Sequence, residues 1–441
     1  MKSAVVIFSD DYRIKDNPAL FNATLSGEKI IPLFVYDENY LGRKLGSASK
    51  VFLYNVLKSF SALLQEKYSA NLIIRKGNLI EEIKKINEIV EFDSIYFNRS
   101  YSKAQIDLES QIAKNFLDKK IYSYKAKVIF EPNEIKNKTN ESYKVFTYFF
   151  KECLKNLNLV GDVLPEPKKI NSIKNIQSLS LDDLDLIPSN QGKWPENIVN
   201  DWSFDYYEIE KNANKFLEKK IESYNNDRNY LALDATSKLS PYFRFGVISP
   251  RLIFCAAQNY KNSYQFLSEI CWREFAYNAA YYNQNIYQEE LKIQYKNFEW
   301  ENNKTLLKKW QYFSTGFDII DAAMTELYYT GTMHNRARMI VASFLIKDLL
   351  VDWRLGEQWF WDCLFDADWA VNPFSWQWVF GSGYDAAPYF RIFNPHLQSE
   401  KFDKDRIYIK KWLKNNNKTL PIVDHDQRKK ITLEIYKKTL R

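Results

Sequence analysis

The 441-residue chain has only four cysteines and three histidines. Cys153, Cys255, Cys271 and Cys363 stand alone, with no CxxC pair, so neither a disulfide framework nor an iron–sulfur or zinc centre is indicated. Buried free thiols and no metal site are the expectation. Long hydrophobic runs are missing too. The opening "MKSAVVIFSDD" offers five apolar residues before a serine and two acids. That is short of a signal peptide, and no stretch reaches the roughly 18 apolar residues of a membrane span. A cytoplasmic protein without membrane contact is expected. The first apolar strand is followed by "DDYRIKDNPAL" rather than GxGxxG, so the dinucleotide fingerprint is absent. Tryptophan is scarce in the first half: of twelve, only Trp194 precedes residue 200. The two halves are built differently.

The remaining composition, 46% hydrophobic and 27% charged, is that of a globular chain long enough for two or three domains. A net charge of +7 is a mild basic bias that suits a polyanionic partner. In the first half, short apolar runs ("AVVIF", "IIPLFVY", "NLIIR", "SIYF") alternate with amphipathic segments such as "ASKVFLYNVLKSFSALLQ". This alternation predicts an α/β domain, a doubly wound parallel sheet, over residues 1–130. Residues 131–204, rich in Asn, Lys, Pro and Ser, read as an interdomain connection. From 205 to 441 the apolar spacing is helical, and "LSP" and "ISP" place a serine before a proline as two successive helix starts. An all-α second domain is predicted.

Helical spacing gathers mixed faces in that domain. Glu269, Trp272 and Arg273 share one side of a helix, as do Asn335, Arg338 and Met339. In "DWAVNPFSWQW", residues 368–378, Asp368, Asn372 and Trp376 recur every four positions. Proline inside a helix costs about 3 kcal/mol, so Pro373 is expected to open a helix that runs from there. Rings set beside amides and charges suit a pocket that stacks on a flat ligand and bonds its edges. Ordinary packing is the competing reading: Trp272 and Trp376 as core, Glu269 paired with Arg273, Asn335 capping a turn. His334 is expected to satisfy a local hydrogen bond. Thr236, Ser237 and Ser240 cluster hydroxyls ahead of a helix, where a phosphate binds or a cap forms.

Taken in order, "DDYRIKDNPAL", "TSKLSPYFRFGVISPR", "WREF", "TGTMHNRARMIVASFLIKDLLVDWRLGE" and "GYDAAPYFRIFNPHLQSEKFD" resemble the photolyase/cryptochrome flavoprotein family over nearly the whole chain. The resemblance is nearest to DNA photolyases that reverse cyclobutane pyrimidine dimers. It implies an FAD held by Tyr224, the segment Thr236, Ser237, Lys238, Leu239 and Ser240, then Phe266, Arg338, Asp366, Ala367, Asp368 and Asn372. Asn372 matches the residue facing flavin N5, where an amide oxygen accepts from N5–H. Trp272 and Trp378 match the indoles that hold a flipped-out lesion, and Glu269 matches the carboxyl on the thymine edge. Arg228, Asn335, Arg336, Met339 and Gln398 fall at DNA- or lesion-facing positions. Trp376, Trp353 and Trp300 match a three-indole electron route, and Trp369 has no such counterpart. UV-damaged DNA is the implied partner, with no protein partner and a monomer expected.

There are departures. "FSDDYR" replaces an arginine-rich "FRRDLR"-like start, so a second antenna chromophore of folate or deazaflavin type stays unassigned. "VNPFSW" puts Phe374 where dimer-repair enzymes keep a small residue, a lean toward (6-4) photolyases. Met339 counters it, standing where (6-4) enzymes place a proton-donating histidine. The alternatives to dimer repair are (6-4) repair and blue-light signalling of the cryptochrome type.

Overall fold

The computed structural model describes residues 2–188, 192–386, 390–413 and 419–440. Ala387, Pro388 and Tyr389 of the "GYDAAPYF" motif lie outside the described residues. The first half holds five parallel strands, β1 (Ser3–Ile7), β2 (Lys29–Tyr36), β3 (Ile73–Lys76), β4 (Ser94–Asn98) and β5 (Lys120–Tyr124), in the order β3-β2-β1-β4-β5. β1 is central, with Val5 opposite Ile31 of β2 and Ile95 of β4. All five of its residues are buried, because helices cover both faces of a parallel sheet. Alternation divides them: Ala4 and Val6 enter the core shared with the second half, Val5 and Ile7 the core on the opposite face.

The crossovers are α1 (Pro18–Leu25), α2 (Ser47–Tyr68), α3 (Leu79–Ile89) and α4 (Lys103–Asn115). Asn17, Asn78 and Ser102 cap α1, α3 and α4 by accepting backbone N–H groups. Strand order reverses beside β1. A cavity opens there at the carboxyl ends of β1 and β2, lined by Phe8, Asp10, Tyr12, Phe34, Tyr40 and Arg43 among others.

Helices follow: α5 (Phe146–Lys155), α6 (Trp194–Asn197), α7 (Tyr206–Lys219), α8 (Tyr224–Asp227), α9 (Ser240–Arg244), α10 (Pro250–Ala257) and α11 (Tyr264–Tyr282). Next come α12 (Lys304–Gln311), α13 (Asp318–Thr330), α14 (Asn335–Ser343), α15 (Trp353–Cys363) and α16 (Val371–Phe380). α17 (Pro395–Phe402), α18 (Ile407–Trp412) and α19 (His425–Thr439) complete the chain. Residues 131–204 do more than connect. α5 packs on α11, and Ile30 at the start of β2 donates its N–H to Asn171.

The halves interlock. Phe52 of α2 meets the rings of Trp202, Phe204, Tyr242, Phe245 and Phe365. Buried Arg13 donates 3.0 Å bonds to the carbonyls of Asp16, Gly246 and Ala126. A side chain at Gly46 would lie 2.0 Å from the carbonyl oxygen of Trp361, so backbone touches backbone there. Cys153, Cys271 and Cys363 are buried free thiols, and Cys255 is half-buried. Among the described residues, no helix is long and apolar enough to cross a membrane, and no acid, histidine and cysteine cluster could hold a metal ion.

Candidate functional site

α11, α14 and α15 each pack on α16, and these four helices carry Glu269, Trp272, Asn335, Arg336, Arg338, Met339, Trp353, Asn372, Trp376 and Trp378. α16 starts at Val371, two residues before Pro373. Its first turn needs no N–H from Pro373, and Asp368 Oδ1 accepts from Ala370 N and Val371 N instead, at 2.8 and 3.1 Å. Asp368 thus precedes the helix, while Asn372 and Trp376 share one face of it. Tyr277 of α11 donates to Asp368 Oδ2 at 2.6 Å, tying the two helices.

Asn372 is 7% exposed. Its Nδ2 donates to the Glu357 carbonyl at 3.1 Å and to Glu357 Oε1 at 2.8 Å. Both amide hydrogens are therefore committed to one neighbour, and no described residue donates to its Oδ1. Glu269, half-buried on α11, accepts from Gln265 at 2.7 Å and pairs with Arg228 at 2.6 Å. It does not pair with Arg273. That arginine turns inward to Glu274 and to the Lys127 carbonyl, both at 2.8 Å. Burial pushes the Glu274 carboxyl up, although Arg273 and the N–H groups of Phe130 and Ile129 oppose it.

Trp272 and Trp378 are both half-buried. Phe146 stacks on Trp272 with ring centroids 3.8 Å apart and planes 10° apart. Phe374, 3% exposed, packs edge-on to Phe275 at 5.5 Å and lies 6.5 Å from Trp272. Trp378 donates to the Asp385 carbonyl at 3.2 Å. Trp369 packs on Tyr277 and belongs to the core.

His334 caps α14: its Nδ1 accepts from Arg336 N at 3.1 Å. Burial, with Arg338, Arg336 and Arg228 nearby, lowers its pKa to about 4. Asn335 is exposed, whereas Arg336, Arg338 and Met339 are half-buried. Arg336 lies over Phe402 and donates to Asn229, and Gln398 keeps a buried Oε1 without a partner. Arg338 forks onto Asp366 at 3.0 and 2.9 Å. Across from it, Tyr224 and Phe266 are buried with rings 5.5 Å apart, and Leu239 is buried beside exposed Lys238 and Ser240. The two serine–proline starts differ. Ser249 caps α10 through Leu252 N, whereas Leu239 precedes α9 and Ser240 caps nothing with its side chain. The Ser240 hydroxyl has no hydrogen-bond partner among the described residues.

Trp376 is 2% exposed and Trp353 fully buried, while Trp300 is half-buried. Trp376 meets Phe360 at 4.9 Å and Trp310 at 6.3 Å; Trp300 meets Phe380 at 5.0 Å. Trp353 donates to Glu290 at 3.4 Å.

Sequence reading missed Glu357, Arg43, Phe146 and Trp310. Arg43 and Glu357 stand 314 residues apart, so no local spacing announces their pairing. The tryptophan of "LLKKWQ" on α12 carried a helical signal but no polar partner to single it out.

A family model described as DNA photolyase matches residues 4–168, and one described as the FAD binding domain of DNA photolyase matches residues 266–420. The deoxyribodipyrimidine photo-lyase of Agrobacterium fabrum is 33% identical over 424 residues, 94% of this chain and 88% of that protein. A bacterial class III photolyase structure from Agrobacterium tumefaciens aligns with a TM-score of 0.92 and 31% identity, over 100% of this chain and 98% of that one. An archaeal photolyase from Sulfolobus tokodaii, solved with two FAD molecules, aligns with a TM-score of 0.83 and 28% identity, over 99% and 100%.

Proposed function

The chain belongs to the DNA photolyase family, an FAD-binding family of lyases, and from that premise we propose that it splits cyclobutane pyrimidine dimers in UV-damaged DNA under blue light. The observation that carries this reading is the buried Asn372 amide. Its N–H groups are committed and its oxygen is open, on a helix that also carries a half-exposed indole.

The residues present fit FAD. Arg338 and Asp366 neutralise each other, the hydroxyls of Thr236 and Ser240 have no partner among the described residues, and Tyr224, Phe266 and Leu239 supply an apolar wall. Ser237 accepts a weak bond from Leu239 N, and Ala367 and Asp368 lie buried at the start of α16. When bound, the flavin supplies light absorption and a reversible one-electron transfer. With FAD bound there, the Asn372 oxygen would accept a hydrogen bond from flavin N5–H and so favour the reduced cofactor.

Trp272 and Trp378 offer faces on which an extruded dimer stacks, replacing the base stacking it has lost. Phe146 braces Trp272 from behind. Glu269 presents a carboxylate to the thymine edge, and Arg228 holds it there. Asn335, Arg336, Met339 and Gln398 are assigned, on the family match alone, to the strand around the lesion. Half-buried Trp300 and buried Trp353 and Trp376 are the indoles to which we assign, on the family match, the path by which an electron enters. The cavity beside β1 and β2, walled by Phe8, Tyr12, Phe34 and Tyr40, is the place we assign to a second, light-harvesting chromophore.

Asn372→Ala tests the reading. FAD stays bound, but its reduced forms no longer accumulate under aerobic blue light. Unchanged photoreduction, followed by absorbance, would remove Asn372 from the mechanism.

A further inference from the structure

Asn372 does not choose its own orientation. Both of its amide hydrogens go to Glu357, which is 3% exposed on α15. The Glu357 carboxylate is held in turn from the other half of the molecule. Arg43, in the connection between β2 and α2, forks onto it: Nη1 lies 3.2 Å from Oε2 and Nη2 lies 3.1 Å from Oε1. The guanidinium is itself fixed, its carbon 3.4 Å from the centroid of the Trp361 ring and 5.3 Å from that of Tyr287. It also forms part of the wall of the cavity at β1 and β2.

The chemistry of this chain is directional. An ionised carboxylate only accepts hydrogen bonds, so an amide beside it can offer only its N–H groups, and the amide oxygen must face the other way. A protonated carboxyl or a carboxamide also carries a donor, and beside either one only the Glu357 backbone carbonyl still favours the N–H side, so the turned-over amide becomes populated. Burial pushes the Glu357 carboxyl up, and the Arg43 charge opposes this. Removing Arg43 would leave a buried carboxylate without its counter-ion, which takes a proton instead.

We propose that Arg43 and Glu357 are positioning residues that hold the Asn372 oxygen toward flavin N5, so that a residue of the sheet half sets how strongly the helical half favours the reduced cofactor. The proposal rests on the reading of Asn372 given above. Neither residue needs to touch the flavin. Both act through the amide, and the forked arginine geometry is what makes the arrangement stiff.

The test uses full-length, FAD-loaded protein and two variants, Glu357→Gln and Arg43→Met, with Asn372→Ala as the reference. Glu357→Gln keeps the shape and the hydrogen-bonding capacity of the side chain and adds a donor. Arg43→Met keeps the glutamate and removes its counter-ion. Affinity for the FAD beside Asn372 should change less than about threefold in both, because neither residue is assigned to contact with that flavin; Arg43 lines only the separate cavity at β1 and β2. The equilibrium ratio of reduced to oxidised flavin should fall about tenfold, a drop of about 59 mV for a one-electron couple. At a fixed applied potential, the absorption band of the N5-protonated one-electron form should weaken. A purely structural role would lower the melting temperature and leave potential and spectrum unchanged, and that result would overturn the proposal. If Asn372→Ala also leaves the potential unchanged, the assignment of Asn372 fails first. If Asn372→Ala lowers it and the other two do not, only the positioning role fails.

Discussion

In the proposed reading, a single amide decides most of what this site can do. Asn372 can stabilise either oxidised or reduced flavin, depending on which end of its side chain is turned inward. Its surroundings make that choice through two hydrogen bonds to Glu357. Glu269 shows the same logic with a charge. It is half-buried, bonded by Gln265 and Arg228, and so offers a carboxylate of fixed direction rather than a mobile one. Glu269→Ala should lower the repair yield per absorbed photon on the order of tenfold, the cost of one charge-assisted hydrogen bond. Affinity for dimer-containing DNA should hold to within about threefold, since stacking and phosphate contacts remain. Quantum-yield and binding titrations on one oligonucleotide check this, and full repair by the variant would refute the assigned role. Much of this was legible in the residues. The face formed by Glu269 and Trp272 follows from helical spacing, and so does that of Asn372 and Trp376. The partners were not legible, because Glu269 takes Arg228 from a separate helix end rather than Arg273 one turn away.

Helix ends set the register of those faces. α16 begins where Asp368 caps its first N–H groups, which places Pro373 in the first turn and turns Asn372 toward α15. α14 begins at His334, an unusual cap whose ring nitrogen accepts from Arg336 N. The histidine is held near pKa 4, against an ordinary 6.5, by burial and by three nearby arginines. Between these two values the unfolded chain binds a proton that the folded chain refuses, so this group makes stability fall as pH drops from 6.5 to 4. The contribution is at most about 3 kcal/mol. His334→Asn keeps a cap acceptor without the titration. Its denaturation midpoint should therefore vary less with pH over that window than that of the native chain, while parallel curves would contradict the account. The local hydrogen bond of His334 was foreseeable from sequence. The serine of "LSP" was not, because both serine–proline pairs carry the same signal and only Ser249 spends its hydroxyl on a cap.

At the scale of the molecule, the two halves act as one body. The α/β character of the first half and the helical character of the second follow from the change of apolar period, which is why they could be read early. What periodicity does not carry is the contact between them. Phe52, Arg13 and Gly46 each sit in the first half and are explained only by the second. Phe146 belongs to a segment whose Asn, Lys and Pro content suggests a tether, yet its ring stacks on Trp272 at the heart of the site. Long-range pairings of this kind leave no spacing in the sequence. Phe374 is where whole-molecule context matters most for substrate choice. It packs edge-on against Phe275 and is buried, so its bulk is absorbed by the core.

The most direct measurement is blue-light repair by the reduced, FAD-loaded protein of two matched oligonucleotides, one with a cyclobutane thymine dimer and one with a (6-4) photoproduct, each with a dark control. Light-dependent restoration of the cyclobutane substrate alone is the predicted result. Repair of neither lesion by a protein whose flavin still photoreduces would contradict the account and point to light signalling; repair of the (6-4) photoproduct alone would contradict the assigned lesion.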